Sequence, residues 1–138
     1  MEEEMIKITV LTEINEVQEK VDNFDGLCFY FANNIKNDLD ALEIKADIKN
    51  ICDFTDNNYD HYFVIAGSHG EYLIDPSFIQ FVSNNGKLIA FDEWPATVLK
   101  NTNEDMANGL IKYGYVKLEN DDLKQYLGSF IEKSKVKR

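Results

Sequence analysis

Cys28, His61 and Asp75 occur in that order along the chain and supply the side chains of a thiol nucleophile, a general base and a carboxylate to orient the base. A thiol attacks a carbonyl efficiently only as thiolate, and an unperturbed cysteine with a pKa of about 8.5 is only a few per cent ionised at neutral pH. An imidazolium about 4 Å away, at an effective dielectric of about 20, interacts by about 4 kcal/mol, enough to lower the thiol by up to roughly three units. A helix N-terminus adds at most about 2 kcal/mol. Histidine is therefore the larger activating influence. The carboxylate would fix the imidazole tautomer and leave its other ring nitrogen to face the thiol. Such a set supports attack on an amide or thioester carbonyl.

Three elements must place these residues. Asn23-Phe24-Asp25-Gly26 supplies a turn, with Asp25 or Gly26 suited to a helix N-cap. From Leu27, the apolar positions Phe31, Ile35, Leu39 and Leu42 follow one helical face and put Cys28 in the first turn. Residues 61–66 and 72–74 read as antiparallel strands around the Gly67-Ser68-His69-Gly70 turn, and Asp75-Pro76-Ser77 ends the hairpin. His61 then opens one strand and Asp75 closes its partner, so both stand at the same end of the sheet. Elsewhere the pattern predicts a strand over 5–11, a helix over 13–21, a half-buried strand over 44–48 and a strand over 87–91 after the Asn84-Asn85-Gly86 turn. Helices are expected over 104–113 and 121–131, the second capped by Asn120 or Asp121. The expected class is α+β, a central helix carrying Cys28 packed on an antiparallel sheet carrying His61 and Asp75.

The 138 residues, 44% hydrophobic and 12% aromatic, suffice for one core, so we expect a single domain over 1–132 and a charged tail over 133–138. No stretch approaches the roughly 18 apolar residues of a membrane span, and the first residues are acidic where a secretory signal is basic. These features imply a mature soluble protein with no membrane partner. The net charge of −11 repels phosphate backbones, which argues against nucleic acid and leaves a protein partner for the acidic surface. Two cysteines make neither a disulfide scaffold nor a four-thiolate site. Reduced thiols imply a cytoplasmic setting, or delivery into a target-cell cytoplasm. No C-x-x-C, H-x-x-x-H or glycine-rich phosphate loop is present, so no metal or cofactor is implied. Cys52 reads as packing and His69 as a solvated turn residue. Cys28 alone would also read as packing; its combination with His61 and Asp75 carries the catalytic reading.

Gly26-Leu27-Cys28-Phe29-Tyr30-Phe31-Ala32 resembles the G-x-C, aromatic, alanine sequence that opens the central helix of papain-like enzymes. His61-Tyr62-Phe63-Val64 with Tyr72-Leu73-Ile74-Asp75-Pro76-Ser77 is similar to the His-strand, turn, strand-Asp-Pro segment of transglutaminase-like and arylamine-acetyltransferase-like proteins. The resemblance spans 23–81. It implies a Cys-His-Asp triad on a helix-and-sheet fold, acting on a protein or small acyl substrate by hydrolysis, deamidation or acyl transfer. Peptidases, acyltransferases, crosslinkers, deamidases and papain-fold bacterial toxins or effectors belong to this superfamily. Two features depart from it. Asp22 stands where a papain-type oxyanion glutamine would lie, and the chain is short for two lobes around a cleft. The Cys28 N–H is the first candidate oxyanion donor, with Asn23 or Trp94 as a second. The reading of a different class is a non-catalytic acidic protein-binding module that retains the fold.

Overall fold

The computed structural model describes residues 2–21, 26–54, 61–81, 83–84, 87–88, 104–119 and 121–127. Helix α1 (Glu2–Gln18) opens the chain and buries Ile6, Thr9, Val10, Glu13 and Val17 along one face. The strand expected over 5–11 is thus the first half of a helix. Its β-branched run imitates a strand, but Ile6 and Val10 are buried while Ile8 is exposed, a spacing of one face in four residues. Glu2, Glu3 and Glu4 occupy the first turn, where the helix dipole favours negative charge.

Helix α2 (Cys28–Ala41) buries Phe31, Ala32, Ile35 and Leu39. Leu27 is its N-cap, without a side-chain capping bond, so Gly26 is not the cap, and Asp25 lies outside the described residues. Leu42 falls just past the helix and is exposed. Strand β1 (Ala46–Asn50) begins two residues later than the 44–48 pattern predicts. Strands β2 (Tyr62–Ala66) and β3 (Tyr72–Ile74) form the expected antiparallel hairpin, with Val64 opposite Ile74 and Ala66 opposite Tyr72. Past Asp75 the chain turns into a 3-10 segment, Pro76–Phe81.

Strands β4 (Ser83–Asn84) and β5 (Lys87–Leu88) make a separate two-stranded ribbon, shorter than the strand expected over 87–91. Helix α3 (Glu104–Tyr113) matches its sequence pattern. Strand β6 (Tyr115–Lys117) follows it and pairs antiparallel with β3, completing a four-stranded sheet of order β1-β2-β3-β6. Residues 122–127 form a last helical stretch, part of the helix expected over 121–131. The 85–86 turn, 89–91, Asn120, 128–131 and the tail 133–138 lie outside the described residues. The architecture is α+β, with helices against an antiparallel sheet.

That sheet is covered on both faces. Ile6, Val10, Phe31, Ile35, Val64 and Ile74 belong to the core under α1 and α2. Phe63, Leu73, Phe78, Leu110 and Tyr126 belong to the opposite core under α3 and 122–127. Alternation along β2 and β3 sends successive side chains into the two cores, which is why both strands are apolar throughout. Among the described residues, no helix is long and apolar enough to cross a membrane.

Candidate active site

Cys28 is the first residue of α2, His61 immediately precedes β2, and Asp75 immediately follows β3. Odd-numbered positions of β2 and β3 face the α3 side, as Phe63 and Leu73 do, so the same alternation turns His61 and Asp75 toward that core. Cys28 approaches from the α2 side. The three residues therefore meet where the two packed faces adjoin at one end of the sheet.

His61 Nε2 lies 2.7 Å from Asp75 Oδ2, and both side chains are only 1% exposed. The ring's second hydrogen bond is with the Cys28 side chain. With Nε2 committed to Asp75, Nδ1 is the nitrogen left for the sulfur. The Tyr62 backbone N–H also hydrogen-bonds to the Cys28 side chain. Tyr62 lies beyond the last β2–β3 pair, Val64 with Ile74, so its amide is outside that ladder.

Burial opposes a charge on His61, but the carboxylate and hydrogen bond of Asp75 outweigh it, with the Cys28 hydrogen bond and charge adding to them. Together they push the imidazole from 6.5 up to about 9. Burial likewise opposes ionisation of Cys28. The hydrogen bond from His61, the Tyr62 amide and the imidazole's charge overcome that opposition, so the thiol is lowered from its ordinary value even though Asp75 acts the other way. The two shifts agree in direction: each group favours the charged form of the other, with the imidazole protonated at neutral pH and the thiol made more acidic than usual. Cys28 as a residue is half-buried.

The backbone around the pair is anchored separately. Asn50 Oδ1 accepts from the N–H groups of both His61 and Cys52, at 3.2 Å each. The Ile51 N–H donates to the His61 carbonyl, extending the β1–β2 ladder by one bond. The Asp75 N–H donates to the Gly114 carbonyl at 2.9 Å. Two further side chains touch the carboxylate. The Tyr126 hydroxyl donates to Asp75 Oδ2 at 2.7 Å, and the Ser77 hydroxyl donates to Oδ1 at 3.2 Å. Ser77 was visible in sequence only as part of a proline turn, and Tyr126 only as an aromatic in a helical pattern. No spacing rule points from either to Asp75.

The N–H groups of Cys28, Phe29 and Tyr30 precede the first intrahelical bond, Phe31 N–H to Leu27 carbonyl, and so have no carbonyl within the helix to serve. The lack of an intrahelical acceptor is what makes the Cys28 N–H the candidate donor to a carbonyl oxygen under attack by its own sulfur. Asn23 and Trp94, the second oxyanion candidates, lie outside the described residues. His69 is exposed at the hairpin tip with its N–H on Glu71, and Cys52 is half-buried and in no disulfide. Among the described residues, no group of three His, Cys, Asp or Glu side chains could hold a metal ion. Compared with models of known families, with curated proteins and with solved structures, the chain matches none.

Proposed function

We propose that this protein performs thiol-dependent acyl chemistry on an amide or thioester, with Cys28 as nucleophile, His61 as proton carrier and Asp75 as the group that orients His61. The observation that carries the reading is a buried imidazole hydrogen-bonded to a carboxylate on one side and to the acidified thiol of a half-buried cysteine on the other. A buried histidine serving structure alone has no need of the thiol. In the proposed reaction the Cys28 thiolate adds to the carbonyl carbon, and the oxyanion rests on the Cys28 N–H. Collapse of the adduct breaks the bond to the leaving group, which takes a proton from the His61 imidazolium. Water or an amine then attacks the acyl-thioester, giving its proton to His61, and Cys28 leaves as thiolate. Water yields hydrolysis or deamidation, and an amine yields transfer.

The resemblance to papain-like and transglutaminase-like proteins extends this reading to a protein substrate and a bacterial effector acting in a reducing cytoplasm. The test is acyl trapping. Incubation with p-nitrophenyl acetate should give a single acetyl adduct on Cys28, seen by intact mass and peptide mapping. The adduct should be lost in Cys28→Ala and at least about tenfold slower to form in His61→Ala. Equal labelling of Cys28 and Cys52, unchanged by His61→Ala, would leave the acidic protein-binding module as the better account.

A further inference from the structure

Asp75 Oδ2 accepts two hydrogen bonds of equal length, 2.7 Å from His61 Nε2 and 2.7 Å from the Tyr126 hydroxyl. His61 leads into β2, whereas Tyr126 sits in the 122–127 helix, 51 residues beyond the aspartate. That helix is far outside the 23–81 stretch in which the thiol site is legible. We infer that Tyr126 is a positioning residue of the site, holding the Asp75 carboxylate in the orientation that keeps His61 directed at Cys28; the inference rests on the reading of Cys28 and His61 as a reactive pair.

Two facts set Tyr126 apart from an ordinary core aromatic. Its hydroxyl, on a fully buried side chain, is spent on the one carboxylate that holds the histidine. Its ring is also fixed from two sides, edge-on to Phe63 at 5.1 Å between centroids and tilted against Phe78 at 6.2 Å. Phe63 stands two residues after His61, and Phe78 three after Asp75. The ring and the hydroxyl therefore tie the helix 122–127 to both strand ends that carry the site. A carboxylate rotates readily about its terminal torsion. With Ser77 on Oδ1 and Tyr126 on Oδ2, rotation breaks hydrogen bonds among side chains that are all buried.

Among the described residues, the titratable groups facing this carboxylate are His61 at the head of β2, Cys28 behind it on α2, and Tyr126 from 122–127. The packing from α3 is apolar, through Met106, Ala107 and Leu110. Removing the Tyr126 hydroxyl has two opposed effects. It leaves more negative charge on Oδ2, which favours the imidazolium, and it frees the carboxylate to turn, which weakens a short directional bond. The bond to His61 exists only while Oδ2 keeps its direction, so the second effect prevails.

The test is the pH dependence of Cys28 alkylation by iodoacetamide in the full chain, with Cys52 as internal reference, in wild type, Tyr126→Phe and Ser77→Ala. Phenylalanine keeps the ring and deletes only the donor. The expected result is a Cys28 profile displaced toward that of Cys52 in Tyr126→Phe, with the rate at about pH 7 reduced roughly three- to tenfold, and a smaller displacement in Ser77→Ala. A Tyr126→Phe protein that melts earlier but keeps the wild-type Cys28 profile has lost only packing, and overturns the inference while leaving the proposed function standing. A wild-type Cys28 that already behaves like Cys52 overturns both. If Tyr126→Phe does not fold, wild-type protein carrying 13C-tyrosine decides. The Tyr126 ring carbon bearing the hydroxyl should shift in step with the Cys28 titration, and a signal indifferent to that titration overturns the inference.

Discussion

At the scale of single residues, the opposite shifts of Cys28 and His61 act on stability with opposite sign as pH rises. In the unfolded chain near neutral pH the proton sits on the thiol, whose ordinary value is 9.0, and is largely off the imidazole, whose ordinary value is 6.5. In the folded protein His61 is raised to about 9, while Cys28 is lowered from its ordinary value. A raised His61 loses its contribution as pH climbs and a lowered Cys28 gains one, so the pair gives stability less slope with pH than His61 would give alone. Cys28→Ala removes the compensating group and leaves His61 drawn upward by Asp75. A group raised on folding contributes fully below its unfolded value and loses that contribution as pH rises through its folded value. Thermal melts of Cys28→Ala should therefore show stability declining from about pH 6.5 upward while wild type stays flatter. Parallel curves for the two proteins would contradict the opposed shifts. Cys28, His61 and Asp75 are legible in sequence because nucleophile, base and carboxylate are rare types whose order can be read. Tyr126 and Asn50 are not, because a tyrosine in a helical period and an asparagine at a strand end are ordinary until the fold shows what they touch.

Among the elements, the turn between α3 and β6 bears most directly on the site. Gly114 has φ +75°, and a Cβ there would lie 2.8 Å from side-chain atoms of both Val10 and Ile14 on α1. Its carbonyl receives the Asp75 N–H. Gly114→Ala should destabilise the fold by at least about 1–2 kcal/mol, lowering the melting temperature, and should slow Cys28 alkylation as the Asp75 backbone shifts. A fully stable, fully reactive variant would show that this turn does not hold Asp75. Helix α1 makes a second, separate prediction. Glu13 is buried against α2; burial, the charge of Asp38 and a hydrogen bond with Asp38 raise its carboxyl above 4.5, although Asn34 acts in the opposite direction. An acid raised on folding costs stability as pH climbs above its unfolded value. Glu13→Gln should therefore melt higher than wild type at about pH 7, and the gain should close toward pH 4.5. A gain that persists unchanged at low pH would assign the effect to packing instead. The same helix shows where sequence reading fails. Ile6, Ile8, Thr9 and Val10 favour a strand locally, but only a partner surface reveals which are buried, and α2 supplies it. Strand β6 is lost for a related reason, since three residues are too short to display a period. Helices α2 and α3 and the β2–β3 hairpin are legible because periodicity, turn glycines and the Asp-Pro stop all agree.

Over the whole molecule, the site joins segments that are remote in sequence and belong to opposite faces of one sheet. Cys28 comes with the helix layer formed by α1 and α2, whereas Tyr126 comes with the layer formed by α3 and 122–127. His61 and Asp75 sit at the sheet end between them. The pairing of both layers on a doubly covered sheet follows from the fully apolar stretches 62–66 and 72–74, yet the sequence does not say which helix takes which face. Nor does the net charge of −11 locate the site, for the charged imidazole and carboxylate that define it are buried and the surface charge is spread elsewhere. This assembly holds a protonated imidazole against the Cys28 side chain at neutral pH. An NMR titration of the His61 ring nitrogens in the intact protein measures that state directly. The expected result is a ring that remains protonated through neutral pH and titrates at about 9. A ring that loses its proton at the ordinary 6.5 would contradict it.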